Sequence, residues 1–188
     1  DALDEMLRYQ VIDEGIGISK RDYAFRHHKI QEVIYAMIPH QRRQHIHTQV
    51  AIVLEKHFSP QLDEIVSELA HHYLQAQNLD RSLAGKAAHY LLQAGNLAAK
   101  QFANVDAVSY YNRGLTVVPD TDQAGRYALL SAREHVYYAQ GNRDAQQDDL
   151  VALWELVQDM TTEEQAEVML RQARLARETS DYDVAMDA

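Results

Sequence analysis

Leu91-Leu92-Gln93-Ala94-Gly95-Asn96-Leu97-Ala98, then Ala107-Val108-Ser109-Tyr110-Tyr111-Asn112-Arg113-Gly114 and a closing Pro119, is the stretch whose reading decides the fold. Apolar and small residues recur at helical spacing in both segments. The first belongs to a long helix over about 81–102. Asn104 begins a second helix, which ends before Pro119 because proline cannot continue it. Leu91, Ala94, Gly95 and Ala98 supply apolar and small contacts on the first helix. Ala107, Tyr111 and Gly114 supply a small residue, an aromatic and a small residue on the second. Two such helices joined by a short polar turn form an antiparallel hairpin.

Working outward toward the C-terminus, the pattern returns. Ala103-Asn104-Val105-Asp106-Ala107 resembles Gly141-Asn142-Arg143-Asp144-Ala145, a step of 38 residues from Ala107 to Ala145. Ser180-Asp181-Tyr182-Asp183-Val184-Ala185 continues the series, with Ala185 a further 40 residues on. Asp120 or Thr121 is expected to cap the helix that runs to Gly141, and Asn142 the helix holding Leu150, Leu153, Trp154 and Val157. Thr161-Thr162-Glu163-Glu164 reads as a capping box opening the last full helix, with Ala166, Met169, Leu170, Ala173 and Ala176 on its inner face. One hairpin cannot bury its apolar face alone, so the expectation is stacked hairpins that share a core. The second copy departs from the first at two places. Arg133 stands where the small residue should be, and Asp149 stands where the aromatic should be.

Toward the N-terminus, Leu3, Met6, Leu7 and Val11 share a helical face across 2–13. Gly15 and Gly17 break it, and a short β-hairpin is expected across 15–27. Ile30, Val33, Ile34 and Met37 predict a helix that Pro39 ends. Ile46, Val50, Val53 and Leu54 predict the next one. Ser59-Pro60 is a helix start, followed by a stripe of Leu62, Ile65, Val66, Leu69, Tyr73 and Leu74.

Composition excludes several function classes. The 188 residues carry a formal net charge of −10, with only 7 Gly, 3 Pro and no Cys. An acidic chain repels phosphate backbones, so direct nucleic-acid binding is disfavoured. Without cysteine there is no disulfide framework or thiolate metal site, a composition that fits the cytoplasm. No apolar run approaches the length a bilayer needs. There is no Gly-x-Ser-x-Gly elbow and no activated thiol, and Asp148-Asp149 and Glu163-Glu164 read as solvent-facing or dipole-complementing pairs. The expectation is therefore no enzyme, no cofactor and no metal site. His27-His28 and His71-His72 are adjacent and His45 and His47 are two apart, so each pair diverges. Glu68 and His71 share a face, but the second Glu-x-x-His that a di-iron bundle requires is missing. Arg42 and Arg43, with His40, His45 and His47, form the one dense basic patch. The pairs Tyr110-Tyr111 and Tyr137-Tyr138 either line a peptide groove or place one member inside a hairpin. The chain opens on Asp1 and closes within what looks like the start of a helix around Tyr182, so it is expected to be a piece of a longer protein.

The stretch from 88 to 119 resembles a tetratricopeptide repeat, although a step of 38 exceeds the usual ~34 residues. A wider resemblance rests on Tyr23-Ala24-Phe25-Arg26-His27, on Ile30-Gln31-Glu32-Val33-Ile34-Tyr35, and on Arg42, Arg43, His47, Ala51, Leu54 and Glu55. It continues through Glu68-Leu69-Ala70-His71-His72-Tyr73 and Lys86-Ala87-Ala88-His89-Tyr90 into Gly95. Over about 20–119 the chain is similar to the region after the core of bacterial signal-transduction (STAND-type) ATPases, including cyclase-linked predicted ATPases and large LuxR-type regulators. That resemblance implies an all-α, right-handed superhelical array of helix hairpins behind a winged-helix remnant. Its parts would be the end of a winged-helix-like unit at 1–27, a linking helical pair at 28–58 and tetratricopeptide-like repeats at 59–188. It implies a non-catalytic regulatory arm that binds a protein or peptide partner, or the parent ATPase core in cis. No Gly-rich Lys-Ser/Thr loop is present for ATP binding by this segment alone. In related ATPases the residue at the place of His27 touches nucleotide phosphate. Read from its position alone, His27 caps or orients the helix that follows. A free-standing peptide-binding scaffold is the alternative.

Overall fold

The computed structural model describes residues 2–15, 23–58, 62–78 and 80–186. The chain is 82% helical, with nine α-helices and one two-stranded sheet among the described residues. It falls into two compact units, Asp1–Ile46 and His47–Ala188.

In the first unit, α1 spans Ala2–Arg8. It stops short of the expected reach to residue 13, because Gln10 turns the backbone left-handed (φ 56°) and Val11 falls outside the helix. Strands β1 (Ile12–Glu14) and β2 (Tyr23–Phe25) pair antiparallel with Ile12 opposite Phe25, so the first strand begins before Gly15. Ile12 is the strand's buried residue. Across the pair, Arg26 holds Asp13 with two nitrogens, at 3.2 and 2.7 Å. Gly17 lies outside the described residues. Helix α2 (His28–Met37) ends directly before Ile38-Pro39, and α3 (His40–His57) begins directly after the proline. Arg43 on α3 lies over the Tyr35 ring, 4.9 Å from its centroid.

The second unit opens with the later turns of α3 and continues through α4 (Leu62–Ala76), α5 (Ala84–Lys100), α6 (Asn104–Val117), α7 (Gln123–Gln140), α8 (Arg143–Leu156) and α9 (Thr162–Met186). The Ser59-Pro60 start signal lies outside the described residues. From α4 onward each helix packs against its successor, and α5 also packs against α7. Three apolar clusters follow one another along the chain. Leu69, Tyr73 and Leu91 centre the first, Ala107, Tyr111 and Leu129 the second, and Leu150, Leu153 and Val168 the third. Each helix buries its stripe against its sequence neighbours, as hairpins too small to have a core of their own must do.

Local signals set most boundaries. Gly141 ends α7 in the left-handed conformation (φ 69°), which lets its N–H and that of Asn142 reach back to the last carbonyls. Asn142 then caps α8 by accepting from the Ala145 N–H. Thr161 and Glu164 form the expected reciprocal box. The Thr161 N–H donates to Glu164 Oε2 at 2.9 Å, and the Glu164 N–H donates to Thr161 Oγ1 at 3.3 Å. The cap of α7 is one residue later than expected. Asp122 accepts from the Gly125 N–H at 2.8 Å, while Asp120 pairs with Arg126.

Two helix faces differ from the expected ones, as do one turn and one carboxylate. On α3 the buried residues are Gln44, His47 and Ala51, while Ile46 and Val53 are 42% and 54% exposed. On α9 the buried residues are Val168 and Leu175, while Met169 and Leu170 are 55% and 70% exposed. Helix α9 also runs through Ser180–Asp183 unbroken, so the third polar turn is helix. Asp149, expected at a surface, is buried.

The small residues of the first hairpin are required by its packing. A Cβ on Gly95 would stand 2.4 Å from Tyr111 Cε1, and one on Gly114 would stand 2.6 Å from Leu129 Cδ2. Tyr111 fills the space against Gly95, donates its hydroxyl to Asn96 at 2.9 Å, and has its pKa pushed up to about 12 by burial. The second hairpin builds the same crossing from charge. Arg133 replaces Gly95 and Asp149 replaces Tyr111, each 38 residues on, and the two replacements meet. The guanidinium grips the carboxylate at 3.0 and 2.5 Å and also donates to Asn112. What reads as two separate defects in a repeat is one exchanged contact.

Candidate functional site

Helices α5, α7 and α9, with Tyr111 of α6, line one groove in the second unit. Asn96, Ala99 and Lys100 come from α5, His135 and Val136 from α7, and Arg171 from α9, around a cavity of about 530 Å³. A second cavity of about 240 Å³ shares His135 and Arg171 and adds Tyr138, Glu167, Leu170 and Arg174. Helix periodicity explains the lining. His135, Tyr138 and the neighbouring Ala132 lie three residues apart on α7, and Leu170 and Arg171 lie three or four residues before Arg174 on α9.

Arg171 is committed. It donates to Glu134 at 2.9 Å, to Glu167 at 2.5 Å and to the Ser131 carbonyl at 3.2 Å. Glu134 in turn accepts from Gln146 at 2.7 Å. Both groove carboxylates are therefore hydrogen-bonded from within, but the single guanidinium they share leaves the trio net negative. Tyr138 donates to Glu178 and lies beneath the guanidinium groups of Arg143 and Arg174, at 5.3 and 5.5 Å. Lys100, His135 and Arg174 are exposed and make no carboxylate pair among the described residues.

A third cavity, about 680 Å³, lies among α6, α7 and α8, beside Asn112, Leu115, Leu130 and Glu155. Its cations are spent, Arg126 on Asp120 and Arg133 on Asp149.

Two polar clusters lie near α3. Glu55 accepts from Lys86 at 2.7 Å, from Tyr90 at 2.8 Å, and from the Tyr73 hydroxyl. The two tyrosine rings stack, 5.3 Å apart and nearly parallel. Burial pushes the Glu55 pKa up, but the donors from Lys86, Tyr73 and Tyr90 outweigh it and leave it below the ordinary carboxylate value. Burial and the same carboxylate push both phenols up. This cluster ties α3 to α4 and α5.

The second cluster joins His47 of α3 to His71 and His72 of α4. The Nδ1 atoms of His47 and His72 stand 2.8 Å apart, and the three ring centroids are 4.9–5.4 Å from one another. Burial, then the neighbouring His47 and His71, lower the His72 pKa to about 4. His71 is lowered by burial and by Arg113. No group of three or more His, Asp or Glu side chains among the described residues is arranged to hold a metal ion. Contrary to the divergence expected from their adjacency, the His71 and His72 rings lie edge-on 5.4 Å apart and both turn toward His47. What the spacing cannot show is that His47, more than twenty residues earlier, fits against both.

The other candidate residues fall as follows. His27 is exposed at the position before α2, in extended conformation, and its side chain makes no capping bond. The basic patch does not gather as one surface: Arg43 covers Tyr35, His40 bonds Gln44 at 2.9 Å, and His47 is buried. Tyr111 packs inside its hairpin while Tyr110 is half-buried, and Tyr138 lines the groove. No motif singles out Lys100, His135 or Arg174, because each is an ordinary polar residue until the helices align. The one available signal is the near-absence of acid on α5 and α7, where Glu134 is the sole carboxylate.

No protein-family model, curated protein or solved structure matches this chain.

Proposed function

We propose that this chain is a non-catalytic interaction and regulatory arm, a right-handed tetratricopeptide-like array that serves a multidomain signalling ATPase or transcription regulator. The observation that carries the proposal is the repeated helix crossing. Gly95 against Tyr111 recurs as Arg133 against Asp149, between helices that pack in chain order. Repetition of one crossing extends a surface rather than enclosing a reaction chamber. The groove along α5, α7 and α9 is that surface, and a protein or peptide partner is its occupant. His27, exposed and without a capping bond, is the residue proposed to contact nucleotide phosphate in the parent protein, where an imidazole N–H can donate to a phosphate oxygen.

The test has two steps. The coding sequence upstream of Asp1 should carry a Gly-rich Lys-Ser/Thr phosphate loop. Deleting 59–188 from the full-length protein should then change its ATP turnover roughly fivefold or more, the usual scale of regulatory coupling. Absence of that loop upstream overturns the ATPase assignment and leaves a free-standing peptide scaffold. Unchanged turnover overturns regulation in cis.

A further inference from the structure

We propose that α3 from His47 to His57 is an acid-released latch. Side-chain contacts hold it on α4 and α5 at neutral pH, and it lifts from its His47 end when the His47–His72 pair takes up two protons. The proposal uses residues of this chain alone and stands apart from the ATPase reading.

The docked face of this segment is largely polar. His47, Ala51 and Glu55 stand four residues apart and form one stripe. Ala51 is fully buried and Leu54 packs against the same cluster, while Ile52 and Val53 are exposed. From α4 to α9 each helix packs close along its successor's backbone, whereas α3 has no such extended packing with another helix among the described residues. Polar contacts tie it down at both ends. Glu55 accepts from Lys86, Tyr73 and Tyr90. His47 meets His72 with their Nδ1 atoms 2.8 Å apart. A helix docked through polar groups, with little apolar burial beneath it, opens locally before the rest of its unit unfolds.

The two ends respond to acid differently. An N–H···N bond between imidazoles needs one bare nitrogen. It survives a first added proton, which still leaves one ring as acceptor. The second proton removes the acceptor and leaves two facing cations. The surrounding groups oppose that second charge. Arg113 of α6 acts on His71, and His47 and His71 act on His72. Neither His71 nor His72 bonds a carboxylate among the described residues, and Glu68, one turn before them on α4, is exposed. Burial works in the same direction, so His72 titrates at about 4 while docked and near 6.5 when freed. Acid therefore favours the freed state below about pH 6.5. At the other end, burial pushes Glu55 up, but the donors Lys86, Tyr73 and Tyr90 outweigh it and keep the carboxylate ionised below its ordinary 4.5. The Tyr73 and Tyr90 phenols stay neutral throughout. The Glu55 anchor thus persists while the histidines charge. Release begins at His47, pivots on Glu55 and uncovers Ala51.

The chain has no cysteine, so a single introduced thiol reports exposure. Ala51→Cys puts it under the latch, and Ala107→Cys, buried in the next apolar cluster, is the reference. Reaction of the intact chain with dithiodipyridine, a thiol reagent that works in mild acid, is timed at about pH 7 and about pH 5, and scaled to the urea-unfolded chain at the same pH. The Ala51→Cys thiol should react roughly tenfold faster in acid, while the Ala107→Cys thiol keeps one rate. Adding His47→Gln or His72→Gln should abolish that pH ratio, whether the latch is then open or shut. The native chain supplies a second measurement that needs no substitution: the His72 Cε1–H resonance should titrate at about 4. Titration of His72 near 6.5 overturns the proposal. So do equal Ala51→Cys rates at the two pH values, a matching rise at Ala107→Cys, or a rise that survives both histidine substitutions.

Discussion

At the scale of single residues, two glycines of α5 separate backbone permissiveness from packing need. Gly85 faces open space, while a Cβ at Gly95 would enter the Tyr111 ring. Gly85→Ala should stabilise by about 0.4–1 kcal/mol through the unfolded chain. Gly95→Ala should lose about 1–2 kcal/mol, because the ring must shift by more than helix propensity returns. Urea midpoints of the two variants check the contrast. The histidine cluster makes a pH prediction. His72 titrates near 4 when folded against an ordinary 6.5, so the unfolded chain binds its proton first. Its contribution is fully present above about pH 6.5 and is lost as pH falls toward 4, at up to about 1.4 kcal/mol per unit. His47, His71 and Arg113 face the same space and oppose any added charge there. Thermal melts across that range should show His72→Gln with a shallower acid dependence than the native chain. Equal slopes would remove the cluster from the account.

At the scale of helices, the Arg133–Asp149 pair joins α7 to α8 where Gly95 and Tyr111 join α5 to α6. Burial, with the nearby Glu134 and Asp148 carboxylates, pushes Asp149 up despite Arg133, so the pair holds its carboxylate against a desolvation cost. Arg133→Ala leaves that buried carboxylate unmatched and should cost about 3–5 kcal/mol. The double exchange Arg133→Gly with Asp149→Tyr restores the apolar crossing, and should be neutral or gain about 1–4 kcal/mol. A double-mutant cycle by denaturant unfolding measures both. The same helices show what is legible in the sequence. Helix ends at Pro39, Pro119, Gly141 and Thr161 are readable because each is a local backbone device. The faces of α3 and α9 are not. There Gln44 and His47 are buried while Ile46, Met169 and Leu170 are exposed, so burial does not follow hydrophobicity. The groove is illegible for a related reason. Lys100 meets His135, and His135 meets Arg174, only through the packing of helices that are separate in sequence.

At the scale of the second unit, the core is a series rather than a single centre. The cluster around Tyr73 and Leu91, the one around Tyr111 and Leu129, and the one around Leu150 and Val168 each join neighbouring helices, and α5 against α7 is the main contact that skips one. Nearest-neighbour stability of this kind weakens all-or-none cooperativity. Hydrogen exchange should therefore protect the amides of α5 and α6, which have partners on both sides, more than those of α9. Uniform protection from α4 to α9 would mean that the clusters act as one. Pulled from its two ends, such a series has no single lock to break. It should yield as a shallow, nearly level force trace in which helices peel away from a terminus in turn, and it should wind back with little hysteresis, so that this segment would behave as a soft spring between whatever it connects.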